Sequence, residues 1–118
     1  MGRKTRKDSE RVASVAMTEV STGELAEALE QGAVVIDCRE ADEWEAARIE
    51  GARLLPVSEL QRRWREIPRG EGTVYVVCAS GARSGRVAEA LRKAGIRAVN
   101  VAGGIKSWAE EGRPLSSG

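Results

Sequence analysis

The stretch Thr-Val-Tyr-Val-Val-Cys-Ala-Ser-Gly-Ala-Arg-Ser, residues 73–84, links an apolar run to a helical pattern. Its β-branched and aromatic start, Thr73 to Val77, is typical of a strand buried on both faces of a parallel sheet. Apolar residues at three- and four-residue spacing then predict a helix that is capped by Ser84 and ended by Gly95. Cys78 is therefore expected at the carboxyl end of a strand, where open α/β sheets bind their ligands.

The turn after this strand has the composition of an anion-binding loop around a thiol. Its backbone N–H groups can point inward, and a helix N-terminus adds the equivalent of about half a positive charge. A thiol held there ionises more readily than a free thiol, whose pKa is about 8.5. We therefore predict that Cys78 is the catalytic nucleophile, and that the substrate-binding loop comprises Ala79, Ser80, Gly81, Ala82, Arg83 and Ser84. The alternative is that Cys78 is a small residue buried at a strand end.

Three segments of the sequence together resemble the rhodanese family of sulfurtransferases. The loop is similar to the active-site loop of that family. Residues 35–56, with Val-Ile-Asp-Cys-Arg-Glu, Glu-Trp, Gly-Ala and Leu-Pro in order, resemble its first signature, and residues 100–114, which begin Asn-Val-Ala-Gly-Gly-Ile, resemble its carboxyl-terminal signature. The resemblance implies an α/β fold, namely a three-layer α/β/α rhodanese-like domain with a five-stranded parallel sheet. It also implies that Asp37 and Arg39 give structural support to the loops around the active site.

The rest of the chain fits strands that alternate with helices. Residues 15–118 are predicted to form the domain, and residues 1–14 are predicted to be a disordered basic tail. Ser21 and Glu24 fit a capping box, Ser58 is expected to cap a later helix, and the tryptophans, Trp44 among them, are expected to anchor the core. The remaining predicted strands lie at residues 15–20, 33–36, 52–55 and 98–101, and further helices lie at residues 22–31, 41–48 and 58–67. A last short helix is predicted after Gly103-Gly104, with Ile105 and Trp108 in it.

Composition excludes several classes of function. The net charge is +1, and residues 1–11 carry +3, which leaves a slightly acidic body without the basic face of a nucleic-acid-binding protein. No run approaches the ~18 apolar residues of a membrane span. Two cysteines and no apolar leader indicate a cytoplasmic protein without structural disulfides. The absence of histidine removes Cys-His and Ser-His-Asp nucleophile pairs, and we expect neither a metal nor an organic cofactor.

These residues favour sulfur transfer by double displacement. A thiolate among N–H donors can attack the sulfane sulfur of thiosulfate or of a persulfide donor, which leaves a persulfide on Cys78. A thiophilic acceptor, such as cyanide, a thiol or a protein, then removes that sulfur. Related phosphatases of the Cys-x5-Arg type are a rival reading, but the four residues between Cys78 and Arg83 make a smaller ring. A third reading is an interaction module that kept the fold and lost catalysis.

The chain departs from the pattern of the family at three positions. Arg48 stands where relatives usually have histidine, and Glu50 replaces the usual proline, so we expect altered packing or surface charge there. Cys38 is the third departure. If the second and fourth strands are neighbours, both cysteines lie at the same end of the sheet, and Cys38 is either a resolving thiol or a small buried residue in place of valine.

Overall fold

A parallel sheet of five strands forms the centre of the protein. The computed structural model describes residues 18–68 and 72–118, so the predicted tail at residues 1–14 lies outside the described residues. The strands are β1 (Glu19–Val20), β2 (Val34–Asp37), β3 (Arg53–Leu54), β4 (Val74–Val77) and β5 (Ala98–Val101). Their order is β1-β5-β4-β2-β3, and every adjacent pair is parallel. The predicted five-stranded parallel sheet is therefore confirmed.

Helices cover both faces of this sheet. They are α1 (Thr22–Glu30), α2 (Ala41–Ala46), α3 (Leu60–Arg63), α4 (Ala82–Lys93) and α5 (Gly104–Glu110), and short 3₁₀ turns at Val57–Glu59 and Trp64–Glu66 flank α3. One core group joins α4 to the sheet through Val87, Ala88 and Leu91. The other joins α1 and α5 to the opposite face through Leu25, Ile105 and Trp108. These two cores confirm the three-layer α/β/α architecture.

Alternation along the strands decides which side chains enter which core. Ile36 and Val76 point into the core beneath α4, whereas Val35 and Val77 point into the core beneath α1 and α5. Because both faces of the sheet are covered, the central strands carry apolar residues on both faces, apart from Asp37 and Asn100. This requirement explains the uninterrupted β-branched runs in the sequence.

The helix ends show where the sequence-based predictions hold and fail. The capping box of Ser21 and Glu24 is confirmed, and Gly95 follows the end of α4 with a left-handed φ of 91°. The prediction that Ser84 caps α4 is wrong, because the helix already begins at Ala82, after Gly81. Ser58 does not cap α3 either, because it lies in the preceding 3₁₀ turn, where its hydroxyl donates to Glu40.

The three tryptophans differ in burial. Trp108 is buried, and Trp64 packs against the core beneath α4. The expectation that Trp44 anchors the core is wrong: α2 has no buried residue, and the indole is half-buried with the guanidinium of Arg48 over its ring at 5.0 Å. Such stacking of a cation on an indole ring is a favourable contact. None of the helices in the described ranges is both long and apolar enough to cross a membrane.

Candidate active site

The ends of β2 and β4 bring two cysteines together. Asp37 pairs with Val77 in the register of these strands, so Cys38 and Cys78 follow as the next pair along the sheet. The N–H of Cys38 donates to the carbonyl oxygen of Val77 at 3.0 Å, which continues the parallel hydrogen-bond pattern by one residue. Both cysteines are free and fully buried. The predicted placement of Cys78 at the carboxyl end of the sheet is therefore observed.

Hydrogen-bond donors from the following loop surround the sulfur of Cys78. The N–H of Gly81 lies 3.1 Å from Sγ, the N–H of Ser84 lies 3.3 Å from it, and the hydroxyl of Ser84 lies 3.2 Å from it. Gly81 has a φ of 103°, a left-handed conformation that turns its N–H toward the sulfur without the clash a side chain would cause. The first turn of α4 starts at the next residue, so its positive dipole end adjoins the same atom.

These donors lower the pKa of Cys78 far below that of a free thiol. The largest cause is a hydrogen bond from the thiol of Cys38, and the hydroxyl and N–H of Ser84 and the N–H of Gly81 add to it against the opposing effect of burial. Each donor stabilises the charged form more than the neutral form. The loop and Cys38 together therefore favour the thiolate of Cys78, which is the nucleophilic form of cysteine.

Backbone hydrogen bonds from α5 hold the loop in place. The N–H of Ile105 donates to the carbonyl of Cys78, and the N–H of Lys106 donates to the carbonyl of Ala79, both at 2.9 Å. Gly104 passes close beneath them with a φ of 57°, and a Cβ there would contact the carbonyl oxygen of Cys78 and lie 2.6 Å from that of Ala79. Only glycine fits this crossing, which explains the glycine at the first position of α5.

The buried amide of Asn100 in β5 ties the loop to β5 and to the edge strand β1. Its Oδ1 accepts a hydrogen bond from the hydroxyl of Ser84 at 2.5 Å, and its Nδ2 donates to the carbonyl of Gly81 at 3.1 Å and to Glu19 at 3.0 Å. The sequence-based prediction did not include Asn100 in the site. The signal was a polar side chain in the middle of a strand, where asparagine is otherwise disfavoured.

Arg83 lies in the first turn of α4, within the predicted site segment, and faces a carboxylate. Its guanidinium forms a two-pronged ion pair with Glu43 of α2, at 2.8 and 2.9 Å. The hydrogen bonds from Arg83 lower the pKa of Glu43 to about 2. Glu43 also accepts the N–H of Glu40 and so completes a capping box at the start of α2. The carboxylate therefore offsets much of the positive charge that Arg83 brings to the site.

Asp37 and Arg39 form a buried ion pair beside the site. Nη2 of Arg39 lies 2.8 Å from Asp37, and both side chains are almost fully buried. The same guanidinium donates to the carbonyl oxygens of Glu43 and Ala47, at 3.3 and 2.6 Å. The pair thus joins the end of β2 to α2, the helix that carries the partner of Arg83. This geometry supports the structural role predicted for these two residues.

The remaining loop residues form the outer part of the site. Ala79 and Gly81 are half-buried, whereas Ser80 and Ala82 are exposed. Their side chains are small and carry no charge. Within residues 18–68 and 72–118, no cluster of three or more histidine, cysteine or acidic side chains could hold a metal ion.

Comparison with known proteins places this site in a family. The model of the rhodanese-like domain matches residues 21–111. The chain is 46% identical over 77 residues to the uncharacterized protein YqhL of Bacillus subtilis, a match that covers 64% of this chain and 60% of that protein. It is 31% identical to the putative sulfurtransferase YtwF of the same organism, with 81% of this chain and 94% of that protein covered.

A solved structure gives the same result. The rhodanese-related protein of Thermoplasma volcanium superposes with a TM-score of 0.77 at 35% identity, with 83% of this chain and 96% of that chain covered. The chain spans only 25% to 60% of the length of several curated relatives, so the match there is to one part of each protein. From its family-model match and its fold, the chain belongs to the rhodanese-like domain family.

Proposed function

We propose that the protein is a sulfurtransferase that carries a sulfane sulfur on Cys78. The observation that carries the proposal is the ring of donors around Sγ, which comes from Gly81 and Ser84 at 3.1 to 3.3 Å. Membership of the rhodanese-like family and a relative named as a putative sulfurtransferase support sulfur transfer in general. The donor, the acceptor and the persulfide are the parts that this proposal adds.

In the first half-reaction the thiolate of Cys78 attacks the outer sulfur of thiosulfate or the sulfane sulfur of a persulfide. A sulfur–sulfur bond forms to Cys78, the donor's sulfur–sulfur bond breaks, and its electron pair leaves with sulfite or with the thiolate of the donor. No general acid is required, because sulfite and thiolates are good leaving groups. This agrees with a chain that contains no histidine. The N–H donors that face Sγ can then stabilise the negative terminal sulfur.

In the second half-reaction the acceptor attacks the terminal sulfur, and the thiolate of Cys78 leaves. Cyanide would become thiocyanate, and a thiol would become a persulfide. The Gly81 and Ser84 donors stabilise both the thiolate of the free enzyme and the persulfide of the intermediate. Neither form is therefore strongly favoured in free energy over the other. The scheme is a double displacement with one covalent intermediate.

The charge of the site favours a persulfide donor over free thiosulfate. Thiosulfate is a dianion, whereas the cation of Arg83 is already paired with Glu43. We therefore expect weak binding of thiosulfate, and a KM for thiosulfate in the low micromolar range would contradict this expectation. The same ion pair weighs against the phosphatase alternative, since a phosphate dianion would have to compete with the carboxylate for the guanidinium.

The test is the intact mass of the protein after incubation with thiosulfate or with glutathione persulfide. Wild type and Cys78→Ser are each measured before and after treatment with a reductant. At the earliest time points we expect one added sulfur on wild type and none on Cys78→Ser, and the reductant should remove it. A wild type that neither gains sulfur from either donor nor releases sulfide at any time point would overturn the proposal and leave a phosphatase or a non-catalytic interaction module, which a phosphatase assay on the same samples would separate.

A further inference from the structure

Cys38 lies where a second thiol can react with Cys78. Because Asp37 pairs with Val77, the two cysteines stand opposite each other on adjacent parallel strands. Neighbouring strands lie about 4.8 Å apart. This spacing falls within the range of about 4.4–6.8 Å between Cα atoms that disulfide bonds require.

The side chains of the two cysteines also point the same way. Ile36 and Cys38 lie on one face of the sheet, and Val76 and Cys78 lie on that same face. All four belong to the core beneath α4. Interaction between the two thiols raises the pKa of Cys38 and lowers that of Cys78. Both cysteines lie one residue beyond the ends of their strands.

We propose that Cys38 is a resolving thiol that turns the Cys78 persulfide into a disulfide and free hydrosulfide. The inference rests on the proposed persulfide. Sγ of Cys38 attacks the inner sulfur of the persulfide, which is Sγ of Cys78. The bond between the two persulfide sulfurs breaks, its electron pair leaves with the terminal sulfur, and the proton of the Cys38 thiol goes to that sulfur. The sulfane sulfur is reduced to hydrosulfide while the two cysteines are oxidised to a disulfide.

The free enzyme keeps Cys38 from reacting too early. Cys38 is protonated there because its thiol donates to the thiolate of Cys78 and because its own charge would be buried beside a like charge. Formation of the persulfide moves the negative charge one atom outward from Sγ of Cys78. The terminal sulfur is then the nearest strong base, so the proton acceptor and the leaving group are the same atom.

Burial makes this reaction intramolecular. Cys38 is fully buried, so a dissolved thiol or cyanide meets the terminal sulfur and not Cys38. An acceptor that arrives quickly receives the sulfur, whereas in its absence Cys38 resolves the persulfide. A further cycle then needs an external thiol or a dithiol protein to reduce the disulfide. The inferred second activity is therefore release of sulfide from sulfane sulfur at the expense of a thiol reductant.

The experiment compares wild type with Cys38→Val, a variant that keeps an apolar side chain of similar size. Each protein is reduced, freed of reductant and exposed anaerobically to excess glutathione persulfide, which is then removed before measurement. A pH of about 9 ionises Cys78 in the variant too, where the hydrogen bond from Cys38 is missing. Released sulfide and disulfide-linked peptides are then followed over time.

We expect wild type to release one sulfide per chain and to yield a peptide pair that joins Cys38 to Cys78. Cys38→Val should hold a lasting persulfide, and Cys38→Ala serves in its place if the valine variant does not fold. A wild-type persulfide that lasts as long as that of the variant, with no joined peptides, overturns the inference and leaves the proposed sulfur transfer intact. Absence of added sulfur on both proteins overturns the proposed function, and the inference with it.

Discussion

The hydroxyl of Ser84 offers the sharpest test of how the loop activates its cysteine. Ser84 is fully buried, and its Oγ lies 3.2 Å from Sγ of Cys78 and 2.5 Å from Oδ1 of Asn100. The change Ser84→Ala removes this hydroxyl but keeps the Ser84 N–H as a donor. We expect the pKa of Cys78 to rise, because the thiolate loses one of its donors while the neutral thiol loses little.

The size of this rise follows from the geometry. A hydrogen bond to a charged group contributes about 1.5–3 kcal/mol. Because a pKa change of one corresponds to about 1.36 kcal/mol, the full bond would account for a change of about 1 to 2. Ser84 has a single hydroxyl proton for two acceptors, and Asn100 is the closer of them. We therefore expect the lower value, a rise of about 1 in the pKa of Cys78.

The assay is the rate of alkylation by iodoacetamide as a function of pH, with the quenched reaction read by peptide mass at Cys78. Ser80→Ala is the matched control, because it deletes the same side chain from an exposed position of the same loop. A folded Ser84→Ala protein with the wild-type pKa would refute the reasoning. The proton of Ser84 would then belong to Asn100, and the thiolate would depend on the N–H groups and Cys38.

Two further predictions concern stability. Glu43→Gln should cost about 1 kcal/mol near neutral pH, since the ion pair with Arg83 is partly exposed and screened by solvent. Because that pair lowers the pKa of Glu43 from 4.5 to about 2, the variant's loss in free energy of unfolding should persist above pH 4.5 and vanish as the pH falls toward 2. A loss that urea unfolding finds to be the same at every pH would contradict the ion-pair account. Gly104→Ala should cost about 1–3 kcal/mol more than Gly95→Ala, because both positions have a left-handed φ but only at Gly104 does a Cβ meet the carbonyl oxygens of the active-site loop. Equal urea midpoints for the two alanine variants would show that this crossing relaxes without strain.

Much of the fold could be predicted because its signals are local. The β-branched run at Val74–Val77 marked a strand with two covered faces, and Ser21 with Glu24 marked a helix start. The predictions that failed concern helix ends. A serine near a helix start has the right chemistry for a cap, but Ser84 turns its hydroxyl and N–H toward Cys78 because the loop closes around the sulfur. Its tertiary partner outweighs its local preference.

The site could be predicted less completely than the fold. The identity of Cys78 and the extent of its loop follow from a strand, a turn and a helix that are contiguous in the chain. The pairing of Arg83 with Glu43 does not, because 40 residues separate the two and α2 must first be placed beside the loop by the buried pair of Asp37 and Arg39. The sequence therefore predicted Arg83 in the loop but not the carboxylate that pairs with it.

The amino-acid sequence alone predicted the class of the fold, the cysteine at the end of the central strand and the small side chains that follow it, since these depend on short-range patterns of apolar, glycine and cysteine residues. Only the tertiary structure decided what surrounds the sulfur. The order of the strands sets Cys38 beside Cys78 and Asn100 beneath Ser84. The physical reason is that a parallel sheet places the carboxyl ends of its strands side by side, even when those strands are distant in the chain. The chemistry of the site depends on the side chains that meet there.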